Sequence, residues 1–226
     1  MTLELQSLSL SLGGRRLFAP LSFTVRDGEI VTVMGASGSG KSSLLDFLCG
    51  MLDRNFTTEG RVLLDGADLA PLPPERRRVG ILFQDDLLFP HLSVGENLAF
   101  GLPPDLRNRS ARRAEVARAL VDAGLEGFES RDPATLSGGQ RARVALLRTL
   151  LAQPRALLLD EPFAKLDVGL RDRIRSFVFT HARAKGLPTL LVTHDPDDAR
   201  AAAGPVVALA SLSDGNPAGS GEPGSS

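Results

Sequence analysis

The 226-residue sequence is short of cysteine and of large aromatic residues: it has one cysteine, no tryptophan and no tyrosine. The single Cys49 excludes an internal disulfide and is typical of a reducing compartment. The formal net charge of −1 gives no bulk attraction to nucleic acid or an anionic membrane. No apolar run approaches the roughly 20 residues that a membrane helix needs, and the N-terminus, which carries Glu4, lacks a basic leader. These absences predict a soluble, cytosolic protein.

Hydrophobic patterns along the chain predict an α/β fold. Residues 3–12 and 21–25 have the alternation of antiparallel strands, with a turn at 13–16, and RVLLDG (61–66) indicates a further strand. Between about residues 85 and 152 the spacing is helical without intervening strands, which indicates an inserted helical subdomain. Toward the C-terminus, apolar strands alternate with helices, as in a mostly parallel sheet covered on both faces.

The last residues differ in composition from the rest of the chain. Residues 213–226 are rich in Gly, Ser and Pro and contain few residues that a core would bury. We therefore predict one domain over residues 1–212 and a disordered tail over residues 213–226.

A glycine-rich stretch, GASGSGKS at 35–42, matches the phosphate-loop pattern G-x-x-x-x-G-K-[ST] between an apolar strand and a helix. Its glycines let backbone N–H groups point at phosphate oxygens, and the following helix presents its N-terminus to the same anion. Lys41 would reach the β- and γ-phosphates, and the Ser42 hydroxyl would bind Mg²⁺. The predicted nucleotide contacts are Gly35, Ala36, Ser37, Gly38, Ser39, Gly40, Lys41, Ser42 and Ser43.

Two carboxylates follow the apolar strand ALLLD at 156–160. At a strand end beside the phosphate loop, Asp160 has the position of a Mg²⁺-associated aspartate. Because neighbouring strand residues face opposite sides, Glu161 is predicted to orient or deprotonate the attacking water. Taken alone, the pair is equally typical of a solvated acidic turn; the phosphate loop favours the catalytic interpretation.

Histidine occurs three times, and only His194 follows a strand expected at the same sheet edge. There it would hydrogen-bond the γ-phosphate and respond to its loss. We interpret His91 and His181 as structural, and the basic run at 76–78 as a solvated face.

The motifs together resemble those of ATP-binding subunits of ABC transporters, over residues 3 to about 212. ILFQ ends at Gln84, LSGGQ spans 136–140 and AKLD ends at Asp167, in the family's order. The resemblance implies a P-loop NTPase core, ATP hydrolysis with ATP and Mg²⁺, and a nucleotide and metal contact from Gln84. It also implies a head-to-tail dimer, in which LSGGQ, a second loop of small residues before a helix, contacts the ATP held by the other subunit. The residues expected to reach the ATP of the opposite subunit are Ser137, Gly138, Gly139, Gln140 and Asp167.

The stretch after Gln84 is similar to that of bacterial importer ATPases for iron, polyamines, sulfate or thiamine, and residues 132–154 are similar to YnjD-type subunits. This likeness implies integral membrane permease partners, a location on the inner face of the cell membrane, and an indirect periplasmic or extracellular binding-protein partner. Apolar residues of this stretch are candidates for a groove on the permease, or for plain core packing. They are Leu87, Leu88, Phe89 and Leu92.

Other interpretations remain open on the sequence. They are a soluble ABC ATPase acting on nucleic acid or ribosomes, an exporter or cell-division type, and a nucleotide-gated scaffold. The first class usually carries two cassettes or basic arms, which the sequence lacks, so no nucleic-acid partner is expected. Intact Glu161 and His194 favour an enzyme over a scaffold.

The sequence departs from the family at a few places. Leu12 stands where many members stack an aromatic on adenine, so we expect weak base stacking and relaxed nucleotide selectivity. Lys165 stands where a smaller or polar residue is common. An appended regulatory β-domain is not expected.

Overall fold

The computed structural model describes residues 1–164, 166 and 168–210 of the chain. The strands are β1 (Leu3–Leu12), β2 (Arg15–Arg16), β3 (Leu21–Val25), β4 (Ile30–Met34), β5 (Phe56–Leu64), β6 (Ala67–Asp68), β7 (Val79–Leu82), β8 (Ala156–Asp160), β9 (Thr189–Thr193) and β10 (Val206–Ala208). The helices are α1 (Lys41–Cys49), α2 (Pro74–Arg77), α3 (Val94–Gly101), α4 (Arg109–Asp122), α5 (Gly138–Leu151), α6 (Val168–Ala184) and α7 (Pro196–Ala202), with a short 3₁₀ turn at Pro133–Thr135.

The N-terminal part forms an antiparallel sheet in the order β2-β1-β5-β6, with β3 also paired to β1. This confirms the predicted antiparallel N-terminal sheet. The turn predicted at 13–16 is shorter than expected, because Arg15 and Arg16 pair back onto β1 as a strand. Gly13 and Gly14, with φ values of 58° and 79°, make the turn itself, since this left-handed backbone favours glycine. The long β1–β5 pairing ends with Leu12 opposite Phe56.

The second sheet is parallel, with the strand order β10-β4-β9-β8-β7. This order confirms the predicted mostly parallel sheet and the adjacency of β8 and β9. Every residue of β9 is buried, as expected for a strand covered on both faces. Met34 pairs with Thr193, and Asp160 pairs with Val192, so the carboxyl ends of the central strands lie side by side. The loops that follow these strands are therefore gathered at one edge of the sheet.

Alternate residues of β8 belong to two different cores on the two faces of the parallel sheet. Leu158 packs in the core that contains α1 residues such as Leu44, whereas Leu157 and Leu159 pack in the core that contains α6 residues such as Ile174. By this alternation Asp160 follows Leu158 and belongs to the α1 side of the sheet. The strand pattern thus directs Asp160 toward the helix that begins at the phosphate loop.

Helices α3, α4 and α5 lie between β7 and β8 in the chain and share a third buried core, which includes Val94, Leu120 and Val144. They form the α-helical part of the fold class predicted from the sequence. The start of α3 is fixed by a capping box, in which Ser93 and Glu96 bond to each other's backbone N–H groups. The boundaries at 85–152 and 1–212 stay predictions, and the predicted tail at 213–226 lies outside the described residues.

The interpretation of residues 76–78 as a solvated basic face is wrong for Arg77, which is only 6% exposed. Its guanidinium donates hydrogen bonds to the carbonyl oxygens of Leu72 (2.8 Å) and Leu48 (3.2 Å), and to that of Phe47. Two of these acceptors lie in the last turn of α1, where carbonyls lack a partner within the helix, although Phe47 O also accepts the N–H of the capping Gly50 at 3.1 Å. Arg77 therefore satisfies the C-terminal end of the phosphate-loop helix. Cys49 beside it is buried, and burial raises the pKa of its thiol to about 12, so it stays neutral.

Candidate active site

The phosphate loop runs from the end of β4 to Lys41, the first residue of α1. Gly40 caps the helix with φ 92°, and a Cβ at this position would lie 3.0 Å from the ring of Phe18, so glycine is required there. Lys41 is 8% exposed, and its Nζ donates hydrogen bonds to the carbonyl oxygens of Gly35 (2.8 Å) and Ala36 (2.9 Å). No side chain of the described residues caps this helix N-terminus, so its first N–H groups remain available to an anion.

A cavity of about 570 Å³ lies over this loop. It is lined by most of the predicted nucleotide contacts, namely Gly35, Ala36, Ser37, Gly38, Gly40, Lys41, Ser42 and Ser43. Glu161 and His194 line the same cavity, together with the apolar residues Leu12, Leu17 and Phe56. Ser39 does not line it; its side chain is 1% exposed, and a Cβ on Gly35 would lie 2.7 Å from its Oγ. Ser39 therefore packs beneath the loop.

Glu161 and His194 approach each other at the ends of β8 and β9. The Nδ1 atom of His194 lies 3.1 Å from Oε1 of Glu161, within hydrogen-bond distance. Glu161 adopts φ 44°, which is rare for a residue with a side chain, and its N–H donates to the carbonyl oxygen of Val192 at 2.9 Å. A strained backbone of this kind persists only where its surroundings hold it. Here it turns the Glu161 side chain into the cavity over the phosphate loop.

Asp160 is the last residue of β8 and is partly buried, on the α1 side of the sheet. Burial raises the pKa of its carboxyl, the nearby Glu161 and Asp46 raise it further, and Lys41 opposes them. A cation bound beside Asp160 would relieve this unfavourable negative charge. The described residues contain no cluster of three or more His, Cys, Asp or Glu that would hold a metal by themselves. A single carboxylate such as Asp160 fits Mg²⁺, which commonly takes one carboxylate and completes its shell with phosphate oxygens and water.

A buried polar group that the sequence did not reveal supports the turn carrying His194. The Thr193 hydroxyl donates to Asp198 Oδ2 at 3.0 Å and accepts the N–H of Asp195 at 3.0 Å. Arg175 of α6 forms an ion pair with Asp198 at 2.7 Å, and both side chains are almost fully buried. Hydrogen bonds on both sides of His194 thus hold its backbone relative to the sheet. Only the three-dimensional packing of α6 and α7 brings these residues together.

The LSGGQ residues lie at the start of α5, away from the phosphate-loop cavity of the same chain. Ser137 and Gln140 form a capping box, with Ser137 N donating to Gln140 Oε1 at 2.9 Å. A Cβ on Gly139 would lie 2.5 Å from Leu170, so this glycine lets α5 approach α6 closely. Gly138 lines a different cavity of about 490 Å³, which it shares with Gln84.

The structure therefore separates the predicted site residues into two groups. The phosphate loop, Glu161 and His194 share one cavity, whereas Gln84 and the LSGGQ residues lie outside it. Asp167, predicted to reach the opposite subunit, lies outside the described residues.

A phosphate loop with a carboxylate and a histidine at the carboxyl edge of a parallel sheet defines a P-loop ATPase. Residues 18–164 match the family model described as "ABC transporter", and the chain belongs to this family of ATP-binding ATPases. The match confirms the resemblance drawn from the sequence motifs.

Individual relatives agree with this assignment. The "Uncharacterized ABC transporter ATP-binding protein YnjD" of Escherichia coli (strain K12) is 53% identical over 85% of this chain and 88% of its own length. The "Thiamine import ATP-binding protein ThiQ" of Jannaschia sp. (strain CCS1) is 46% identical over 87% of this chain and 84% of its own length. The solved dimeric structure of MJ0796, a bacterial ABC transporter cassette, superposes with a TM-score of 0.75 at 30% identity, covering 92% of this chain and 94% of that one.

Proposed function

We propose that the chain is the motor subunit of a bacterial importer, which converts ATP hydrolysis into substrate movement through a membrane permease. The observation that carries this proposal is the single cavity in which the phosphate loop, Glu161 and His194 meet. It contains the groups needed to bind a triphosphate and to hydrolyse it. The import direction is supported by the 46% identity to the thiamine import protein.

The chemistry follows from the position of each group. Backbone N–H groups of the loop and the Lys41 ammonium bind the phosphate oxygens and offset their charge. Glu161, turned into the cavity by its backbone, accepts a proton from the attacking water. His194 hydrogen-bonds the terminal phosphate and, through its 3.1 Å contact, orients the Glu161 carboxylate. Ser42 and Asp160 would hold Mg²⁺, which neutralises developing charge on the phosphates. Gln84, which lines the other cavity, would join them only by moving toward the phosphate loop.

The complete site is formed by two copies of the chain arranged head to tail. In one chain, Ser137, Gly138, Gly139 and Gln140 do not line the phosphate-loop cavity. They lie at the N-terminus of α5, whose helix dipole favours an anion. A two-fold arrangement would bring them, with Asp167, onto the ATP held by the opposite copy. ATP then joins the dimer, and loss of the γ-phosphate lets it open.

The permease would dock on the segment that follows Gln84. Leu87 is 55% exposed, and Phe100, which packs edge-on against Phe89, is 68% exposed. Exposed apolar residues within one short segment are typical of an interaction surface. Leu88 instead packs against the buried cores, so its role is structural. No helix within the described residues is long and apolar enough to cross a membrane. We place the chain on the inner membrane face through the permease, with a periplasmic or extracellular binding protein as an indirect partner.

Affinity capture from gently solubilised native membranes, followed by mass spectrometry, tests this function. Tagged wild-type protein is expected to recover a polytopic membrane protein. Leu87→Asp should lower that recovery several-fold while ATP hydrolysis by the purified subunit persists. Val121→Asp provides the matched control, because Val121 is similarly exposed at 54% but lies on α4 outside this segment. Recovery of only soluble protein or nucleic acid by an active wild-type ATPase would contradict the transport function.

A further inference from the structure

The cavity over the phosphate loop has one apolar wall that contributes nothing to phosphate binding. Its side chains are Leu12, Leu17 and Phe56. Leu12 ends β1 and Phe56 begins β5, and the two residues are direct partners in the antiparallel β1–β5 ladder. Side chains of such partners lie on the same face of the sheet, with Cβ atoms about 5 Å apart. Phe56 therefore lies beside Leu12, the residue that stands where many family members stack an aromatic on adenine.

Phe56 is not explained by core packing. The partly buried hydrophobic residues that pack on the core of the N-terminal sheet include Leu17 and Phe23, but among the described residues they do not include Phe56. Its side chain is only partly buried, and the neighbouring Leu12 is 44% exposed. An aromatic ring that lines a polar phosphate cavity without joining the core is available for a ligand.

We propose that Phe56 is the residue on which the nucleotide base stacks, and that it supplies the aromatic surface absent at Leu12. The inference rests on the proposed function, because it requires ATP in this cavity. When the phosphates occupy the loop, the rest of the nucleotide extends within the same cavity, whose apolar wall is formed by these three residues. A planar base is the only part of ATP that matches an aromatic wall. Phe56 thus replaces the expectation of weak base stacking with a specific contact from the adjacent strand.

This contact has a defined selectivity. Every base has a π-face, so stacking on a phenyl ring tolerates different bases. ATP and GTP should therefore both depend on Phe56, whereas a phosphate chain without a base should not. The expected relaxed selectivity between nucleotides is therefore kept, whereas the expected weak base stacking is not.

Fluorescence provides the test, since the chain has no tryptophan of its own. Phe56→Trp places a single fluorophore in the wall, and its emission should change saturably with ATP and with GTP but not with inorganic tripolyphosphate. Val121→Trp, on the exposed surface of α4, serves as the control and should respond to none of them. A Phe56→Trp protein that hydrolyses ATP without an ATP-specific change in emission would overturn the proposal.

Steady-state kinetics test the natural side chain. Phe56→Ala should raise KM for ATP and for GTP about tenfold, with a much smaller effect on kcat. Phe56→Tyr should restore wild-type KM, and Phe56→Leu, which keeps apolar bulk without a ring, should not. Equal KM values for the Ala variant and the wild type would overturn the proposal. If instead the proposed ATPase function is wrong, the wild-type protein itself will not hydrolyse ATP, which distinguishes the two failures.

Discussion

The Nδ1 atom of His194 lies 3.1 Å from the Oε1 atom of Glu161, across two adjacent strands that end beside the phosphate loop. Glu161 is mostly shielded from solvent, with 24% of its side chain exposed, whereas 65% of the His194 side chain is exposed. The proposed base, Glu161, is therefore enclosed by protein, whereas the exposed His194 is accessible to a phosphate in the cavity. In the proposed mechanism, this contact would link activation of the water by Glu161 to the presence of the γ-phosphate on His194.

Replacing Glu161 by Gln keeps the side-chain shape but removes the proton acceptor. We expect ATP turnover to fall about 100-fold or more, while nucleotide affinity stays near that of the wild type. A phosphate-release assay and an ATP-binding isotherm on the same preparation measure the two effects. Turnover within a few-fold of the wild type would show that another group activates the water.

His194→Ala removes both the phosphate contact and the partner of Glu161. We expect kcat to fall by about 10- to 100-fold. His181→Ala is the matched control, because His181 Nδ1 donates to the carbonyl oxygen of Phe177 within α6, outside the cavity. Similar losses in both variants would indicate a general structural effect.

Asp160→Asn tests whether the partly buried negative charge of Asp160 destabilises the nucleotide-free protein. Burial raises the Asp160 pKa in the folded protein above 3.8, so the folded state binds this proton more tightly than the unfolded state does. The ionised carboxylate therefore lowers the stability of the nucleotide-free protein above the raised pKa, and this penalty disappears as the pH falls below 3.8. We expect the Asn variant to have a Tm about 2–4 °C higher at pH 7 without Mg²⁺, and no advantage at low pH.

Thermal unfolding across pH measures that difference. Asp122→Asn, on the exposed surface of α4, controls for the loss of one negative charge. Mg-ATP should stabilise the wild type more than the Asn variant. If the Tm advantage of Asp160→Asn grew as the pH falls, the ionised Asp160 carboxylate would not be the destabilising form.

Arg77→Leu removes the donor that satisfies the end of α1. Because the carbonyl oxygens of Leu48 and Leu72 lose this donor, and Phe47 keeps only the N–H of Gly50, we expect a loss of about 2–4 kcal/mol in the free energy of unfolding. Arg76→Ala, at the exposed neighbouring position, should change stability by less than about 0.5 kcal/mol. Urea denaturation of both variants makes the comparison, and equal midpoints would remove the capping role from Arg77.

Local signals in the sequence were sufficient for much of this architecture. The buried strands β4 and β8 coincide with the apolar runs IVTVM and ALLLD, and the glycine loop between β4 and α1 is a contiguous motif. In a parallel sheet the order of strands then gathers His194 and Glu161 at one edge. Short-range patterns and one topological rule therefore predict most of the cavity lining.

Residues that act through distant contacts could not be found in this way. Arg77 looks like part of a solvated run until α1 is placed against it, and the Thr193–Asp198–Arg175 group depends on the packing of α6. Phe56 was missed because the strand predicted from RVLLDG begins earlier, at Phe56 itself. Its position opposite Leu12 depends on the pairing of β1 with β5, which are far apart in the sequence, so no local pattern places the two residues side by side.

The dimer is tested most directly by light scattering on Glu161→Gln, alone and combined with Gly138→Asp. A Cβ at Gly138 meets only Arg141 Nη2, at 3.9 Å, so there is room for a Cβ here, and the substitution places a negative charge at the LSGGQ surface. The account predicts that Glu161→Gln is dimeric with Mg-ATP and monomeric without nucleotide, and that the double variant binds ATP but stays monomeric. A single variant that stays monomeric at saturating Mg-ATP, or a double variant that still dimerises, would contradict the shared site.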